Sequence, residues 1–216
     1  MGSGVVRVAT LNLWGHHGAW DERRSALVDG LHELHPDIIA FQEAVVAEGY
    51  DQAADLLGSS YHIAHQAVRD AQGSGLSIAS SWEVREVWEE TLHVTSRGDP
   101  SVIAVAEILA PDPLGTLFVA HHNASWQLGF EHEHELQAMA ASRLVEVLLD
   151  KREVSHVVLA GDFNASPGSA SVRFSGAGCS PWIMRASATG TPGRARPPPG
   201  ARSHFHAVQP ARSDRR

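Results

Sequence analysis

The stretch Val157-Val158-Leu159-Ala160-Gly161-Asp162-Phe163-Asn164 constrains the fold more than any other part of the chain. Four apolar residues, two of them β-branched, predict a buried strand, and the glycine directly after them predicts its end. Asp162 and Asn164 then fall at the carboxyl end of that strand, the edge at which open α/β sheets bind ligands. An aspartate placed there can accept a hydrogen bond from an attacking water, and an asparagine two residues on can donate to a developing oxyanion. The same residue types are ordinary turn formers, so this stretch alone leaves both readings open.

Upstream, Val5 to Leu13 alternates as a first strand ending at Asn12-Leu13-Trp14-Gly15. Asp21 is expected to cap a helix over Glu22–Leu34, with Leu27, Leu31 and Leu34 on one face and Pro36 as its stop. Asp37 to Glu43 predicts a second buried strand that delivers Glu43 at its end. A short helix is expected at Gln52–Leu57, and short strands at Tyr61–Ala67 and Gly75–Ala79. Trp82–Val94, Ser101–Leu109 and Thr116–Ala120 predict three further strands, with Pro111 to Gly115 as the turn before the last. Glu131 to Asp150 is the longest helical pattern, its apolar stripe made of Leu136, Met139, Ala140, Leu144, Val147 and Leu148. Strands outnumber helices without strict βαβ alternation, which suits a pair of sheets covered by helices better than one parallel sheet.

Three predicted strand ends carry polar groups: Asn12, Glu43, and the pair Asp162 and Asn164. His121-His122-Asn123 supplies a fourth. A carboxylate among neutral oxygen and nitrogen donors suits Mg²⁺, which takes one or two protein carboxylates and keeps several waters. Each residue also has a plain structural reading, as a turn, a loop start or a surface histidine. His132-Glu133-His134 spaces its histidines wrongly for a His-Glu-x-x-His zinc site and is expected to be solvated, as are His16, His17, His62 and His65.

Taken in order, Ala9-Thr10-Leu11-Asn12-Leu13-Trp14, Pro36-Asp37-Ile38-Ile39-Ala40-Phe41-Gln42-Glu43, Leu117-Phe118-Val119-Ala120-His121-His122 and Gly161-Asp162-Phe163-Asn164 resemble the successive motifs of the endonuclease/exonuclease/phosphatase superfamily. The resemblance covers residues 5–173 and implies an α/β (α+β) fold: a four-layered sandwich of two β-sheets flanked by helices. It implies a metal-dependent phosphoester hydrolase (phosphodiesterase, nuclease or phosphatase) that uses in-line attack of water, with Mg²⁺ or Mn²⁺ as cofactor. By the same resemblance Glu43 is the main metal ligand with Asn12 beside it. His122 contacts the scissile phosphate, Asp162 aligns the water, and Asn164 stabilises charge on the phosphoryl group.

The family's closing Ile-Asp-Tyr and Ser-Asp-His motifs have no counterpart, since Ser213-Asp214-Arg215 carries arginine in place of histidine. His204 and His206 stand in a polar, Pro-rich setting unlike the family's. The expected organisation is therefore an incomplete domain over 1–173, its closing strands missing, followed by a basic Pro/Arg-rich tail over 174–216. That tail holds 6 of the 11 prolines and 7 of the 17 basic residues, too little apolar surface to offset the entropy of ordering. A frame-shifted reading of a GC-rich gene would produce such a segment, and loss of the Asp/His dyad that the family's Ser-Asp-His motif places at the phosphate would lower turnover by about 10²- to 10⁴-fold. Two alternatives follow: an impaired remnant that keeps a metal or phosphate site, and a nucleic-acid binder working through the arginine tail.

Residues 1–173 carry 24 acidic and 10 basic side chains, which disfavours duplex nucleic acid as a general partner and leaves small phosphoesters and lipid headgroups open. The single cysteine, Cys179, excludes an intrachain disulfide; with no apolar run long enough for a membrane, a cytoplasmic monomer is expected.

Overall fold

The computed structural model describes residues 5–96, 101–177 and 183–185. In chain order the elements are β1 (Val8–Asn12), α1 (Trp20–Leu34), β2 (Ile38–Ala47), β3 (Tyr50–Asp51), α2 (Gln52–Leu57), β4 (His62–His65), β5 (Ser74–Ser80) and β6 (Glu83–Leu92). They continue with β7 (Ser101–Leu109), β8 (Thr116–Asn123), α3 (Glu131–Leu149), β9 (His156–Asp162), α4 (Ala170–Ala177) and β10 (Ile183–Arg185).

The strands form two sheets. The first has the order β1-β2-β5-β4, with β3 attached to β2; the second has the order β10-β9-β8-β7-β6. Pairing is parallel between β1 and β2, β8 and β9, and β9 and β10, and antiparallel elsewhere, so both sheets are mixed.

Alternation along each strand makes the layers. Val8, Ile38, Ala40, Leu76 and Ile78 of the first sheet meet Ala104, Ala106, Ile108, Leu117, Val119, Val158 and Ala160 of the second. The opposite face of the first sheet, with Ala9, Leu11, Ile39 and Phe41, is covered by α1 and α2. The opposite face of the second, with Ile103, Val105, Phe118 and Leu159, is covered by α3. This is the expected helix–sheet–sheet–helix sandwich. Each fully buried Leu, Ile, Val or Phe contributes roughly 1.5–3 kcal/mol, so both faces of both sheets matter to stability.

Several element ends differ from the sequence reading. Helix α1 begins at Trp20 with Ala19 at the cap position, and Asp21 lies inside the first turn, where its charge opposes the helix dipole instead of capping. The helix does end before Pro36, on His35 in a left-handed conformation. Strand β2 does not stop at Glu43 but runs on to Ala47 through a bulge, and β8 runs on through His121, His122 and Asn123. Gly161 does not terminate β9, which continues to Asp162. Its φ of 150° and its closeness to β8 explain the glycine: a Cβ there would lie 1.8 Å from the carbonyl oxygen of His122.

The face that α3 buries is rotated from the predicted stripe. Ala138, Ala141, Val145 and Leu148 are buried, as are Glu133, His134, Gln137 and Ser142, whereas Met139 and Val147 are exposed. Small side chains let the helix sit close to the sheet, and its polar first turns are buried because they bind a loop described below. Regular structure also continues past the boundary expected at 173: α4 spans it, and β10 adds a strand beside β9. The rest of the tail, with Cys179, His204, His206 and Asp214, lies outside the described residues.

Candidate active site

The inter-sheet packing brings the ends of β1 and β9 together above the middle of β2. From there three polar side chains converge. The Asn12 Nδ2 amide donates to Glu43 Oε1 at 2.9 Å and to Asp162 Oδ2 at 3.1 Å, joining residues from both sheets. Asn12 is itself oriented, because its Oδ1 accepts the backbone N–H of Trp14 at 2.8 Å.

Glu43 reaches this point through the β-bulge. The ladder between β2 and β5 shifts register between Phe41 and Ala44, and Glu43 takes a φ of 53°. Without the shift, strict alternation would fix its direction by its neighbours; the extra residue re-aims the side chain. On β9, Asp162 is turned by its own loop: Oδ1 accepts the Asn164 backbone N–H at 3.0 Å. Asn164, with a φ of 46°, uses its Nδ2 to bind the Ala124 carbonyl at 2.9 Å and so ties the β8–α3 loop to the site. A primary amide has two hydrogens, so one N–H of Asn164 stays available. Trp14, Glu43 and Asn164 are three of the four non-glycine residues with positive φ among the described residues, and all three belong to this cluster. Such backbone conformations cost about 1–3 kcal/mol each and persist where a site needs them.

Two histidines stand close by in sequence but face different layers. Alternation puts His121 toward the inter-sheet layer, where its Nε2 lies 2.6 Å from Gln42 Nε2, beside Thr10. His122 points to the α3 side. It packs edge-on against Phe163, with ring centroids 5.9 Å apart, and its Nε2 lies 3.5 Å from Ser101 Oγ. Burial pushes the His122 imidazole down to about 4 and that of His121 to about 3, so both are neutral near pH 7. Asn12, Glu43, Asp162 and Asn164 are thus brought together, while no hydrogen bond among the described residues links His122 to them.

Sequence reasoning missed the side chains that brace this cluster. Buried Gln52 accepts from the Val45 N–H at 2.9 Å and donates to the Gly15 carbonyl at 3.0 Å. Arg69 donates to Ala44 O at 2.6 Å and Gly73 O at 3.0 Å. His134, expected on the surface, is buried with its Nε2 2.7 Å from Ser125 O, and Gln137 accepts the Ser125 N–H at 3.1 Å. These contacts hold the loop that Asn164 grips. None has a sequence signature beyond a polar residue inside an amphipathic pattern.

The donor set fits a hard divalent cation. Two carboxylates converge on one neutral amide, and no Lys, Arg or His among the described residues forms an ion pair with either. All three groups are only partly buried; the carboxylates of Glu43 and Asp162 supply the oxygen donors that Mg²⁺ and Mn²⁺ prefer, whereas Asn12 turns its Nδ2 toward them and can offer an ion only its Oδ1, which also accepts the Trp14 N–H.

The sequence matches the Endonuclease/Exonuclease/phosphatase family over residues 9–205. The chain belongs to that family. No match was found among curated proteins. Among solved structures it is similar to ANGEL2, a 2',3'-cyclic phosphatase, at a TM-score of 0.64 and 18% identity, over 77% of this chain and 56% of that one. It is similar to truncated Caenorhabditis elegans TDP2 at a TM-score of 0.60 and 20% identity, over 76% and 64%. It is also similar to the mannosyl-6-phosphatase Bt3783 of Bacteroides thetaiotaomicron at 0.63 and 16%, over 78% and 68%. The chain thus spans only 56–68% of the length of these three solved structures. At these identities the likeness establishes the shared fold.

Proposed function

We propose that this protein is a divalent-metal-dependent phosphoester hydrolase working by in-line attack of water. The observation that carries the reading is the convergence of Glu43 and Asp162, from opposite sheets, on the single amide of Asn12. Family membership supports it, and so does the likeness to two phosphatases, ANGEL2 and Bt3783.

Glu43 and Asn12 are the residues that would hold the ion. Mg²⁺ or Mn²⁺ there would neutralise charge on the phosphoryl oxygens. Asp162 keeps lone pairs free on a carboxylate fixed by two hydrogen bonds, and it orients the attacking water and accepts its proton. The free N–H of Asn164 donates to a phosphoryl oxygen as charge builds on it. His122 is neutral, so it serves a phosphate as an N–H donor.

The test is hydrolysis of an aryl phosphodiester, an aryl phosphomonoester and single- and double-stranded DNA, with Mg²⁺, with Mn²⁺ and with chelator. Metal-dependent turnover is expected, abolished by Glu43→Ala. Asp162→Asn, which keeps the size and an acceptor for Asn12, should lower kcat by about 10²- to 10⁴-fold. Folded protein that binds Mn²⁺ without turnover would favour an impaired remnant instead.

A further inference from the structure

We infer that Gln52 is a positioning residue: its buried amide clasps the Glu43 bulge to the loop after Asn12 and so sets the spacing of the two groups that would hold the metal ion. The inference rests on the proposed function for its catalytic meaning. Its structural content stands on hydrogen bonds alone.

Strand β2 shifts register against β5 between Phe41 and Ala44, and beyond Gln42 it outruns its other neighbour, β1. Each polar group exposed in this way must be satisfied from elsewhere. Gln42 O accepts from Leu13 N at 2.8 Å, and Glu43 O accepts from Gly15 N at 3.0 Å. Ala44 O is taken by Arg69, and Val46 N donates to Gly73 O at 2.9 Å. The Val45 N–H is left to Gln52 Oε1, and Gln52 Nε2 then turns to Gly15 O. Gly15 is therefore bound on both sides: its N–H by Glu43 and its carbonyl by Gln52. A closed circuit runs from Glu43 through Gly15 and Gln52 to Val45 and back along β2. Trp14, next to Gly15, is the residue whose N–H orients Asn12.

Gln52 is itself rigid. It is fully buried at the first position of α2, whose start is fixed by Asp51 accepting from the N–H groups of Ala53 and Ala54. Asp51 is in turn held by His65 at 2.9 Å. Arg69 braces the bulge without reaching the Asn12 loop, and Arg23 holds the Leu13, Gly15 and His17 carbonyls of that loop without reaching the bulge, so among the described residues Gln52 alone bonds both segments with its side chain.

Gln52→Met keeps the side chain's length and removes both hydrogen bonds. Gln52→Glu keeps the acceptor for Val45 and loses the donor to Gly15. Leu56→Ala, in the same helix and buried away from the circuit, is the control for lost stability alone. Three readouts are compared: amide hydrogen exchange at Leu13 and Gly15, Mn²⁺ affinity, and kcat with KM. In Gln52→Met, protection at Gly15 should fall at least about tenfold beyond its fall in Leu56→Ala. Mn²⁺ affinity and kcat should fall by about 10- to 100-fold, with KM little changed. Gln52→Glu should show the same loss at Gly15, which keeps the test open should Gln52→Met not fold. Exchange at Gly15 no faster than in the control overturns the inference, as does unchanged Mn²⁺ affinity in a protein whose Gly15 is released. If the unaltered protein neither binds Mn²⁺ nor turns over, the proposed function fails, and exchange at Gly15 still decides whether Gln52 clasps the loop.

Discussion

His121 and His122 are adjacent residues that face opposite sides of one sheet, and burial acts on both in the same way. In the unfolded chain each takes up a proton near pH 6.5, whereas in the fold burial lowers His122 to about 4 and His121 to about 3. Above pH 6.5 both states are neutral and neither residue makes stability depend on pH. Below it the unfolded state binds more protons, so unfolding becomes easier as the pH falls, by up to about 1.4 kcal/mol per pH unit for each histidine. The loss stops near pH 4 for His122 and near pH 3 for His121. Urea titrations at pH 7.5, 6 and 5 should show this decline, and His122→Gln should flatten it by about half between pH 6 and 5. An unchanged slope in that variant would mean that His122 is hydrated in the fold. The same two residues illustrate a limit of sequence. Position in a motif identified His122, but only the pleat of β8 tells which layer each ring enters, and that depends on register.

At the scale of elements, the strands were legible because their apolar runs are short, β-branched and bounded by turn residues; Ser101–Leu109 was read to the residue. The convergence of Asn12, Glu43 and Asp162 was legible only as three polar residues near strand ends. The bulge was not, because an extra residue in one strand changes pairing and not composition. Helix α3 was placed well and its stripe was right in part: Leu148 is buried and Ala140 and Leu144 pack against the core, but Met139 and Val147 are exposed, and the buried face adds Ala138, Ala141 and hydrogen-bonded polar groups that no apolar periodicity reveals. Leu148→Ala should therefore cost about 2–4 kcal/mol, and Val147→Ala, on the exposed side, less than about 1 kcal/mol, as read from chemical denaturation. Equal costs would restore the predicted stripe. Between β8 and β9, Gly161→Ala would force a Cβ against the His122 carbonyl in a strained φ, so at least about 2 kcal/mol should be lost. Wild-type stability in that variant would show that β9 can shift away from β8 at the site.

The whole molecule is a pair of sheets whose shared layer is apolar almost to its rim, where charge collects. Apart from packing, the rim holds Glu43 of the first sheet and Asp162 of the second to one neutral amide, so like charges meet where the sheets meet. The protein as a whole is also acidic, with a formal net charge of −8. A divalent cation held by Glu43 and Asn12 would offset the repulsion between Glu43 and the nearby Asp162, so it should stabilise the fold and not only the reaction. Binding to the native state alone adds about 2.7 kcal/mol when the free ion is 100 times its Kd. Thermal unfolding should accordingly shift upward by several degrees with saturating Mn²⁺ and return with chelator. Na⁺ at matched ionic strength should reproduce little of it, because screening weakens all surface repulsion alike without occupying the site. Glu43→Ala should unfold at a similar or higher temperature than the unaltered protein without metal, since one of two converging charges is gone, and should lose the Mn²⁺ shift. A Mn²⁺ shift that survives in Glu43→Ala would place the cation elsewhere on the acidic surface and separate stability from the candidate site.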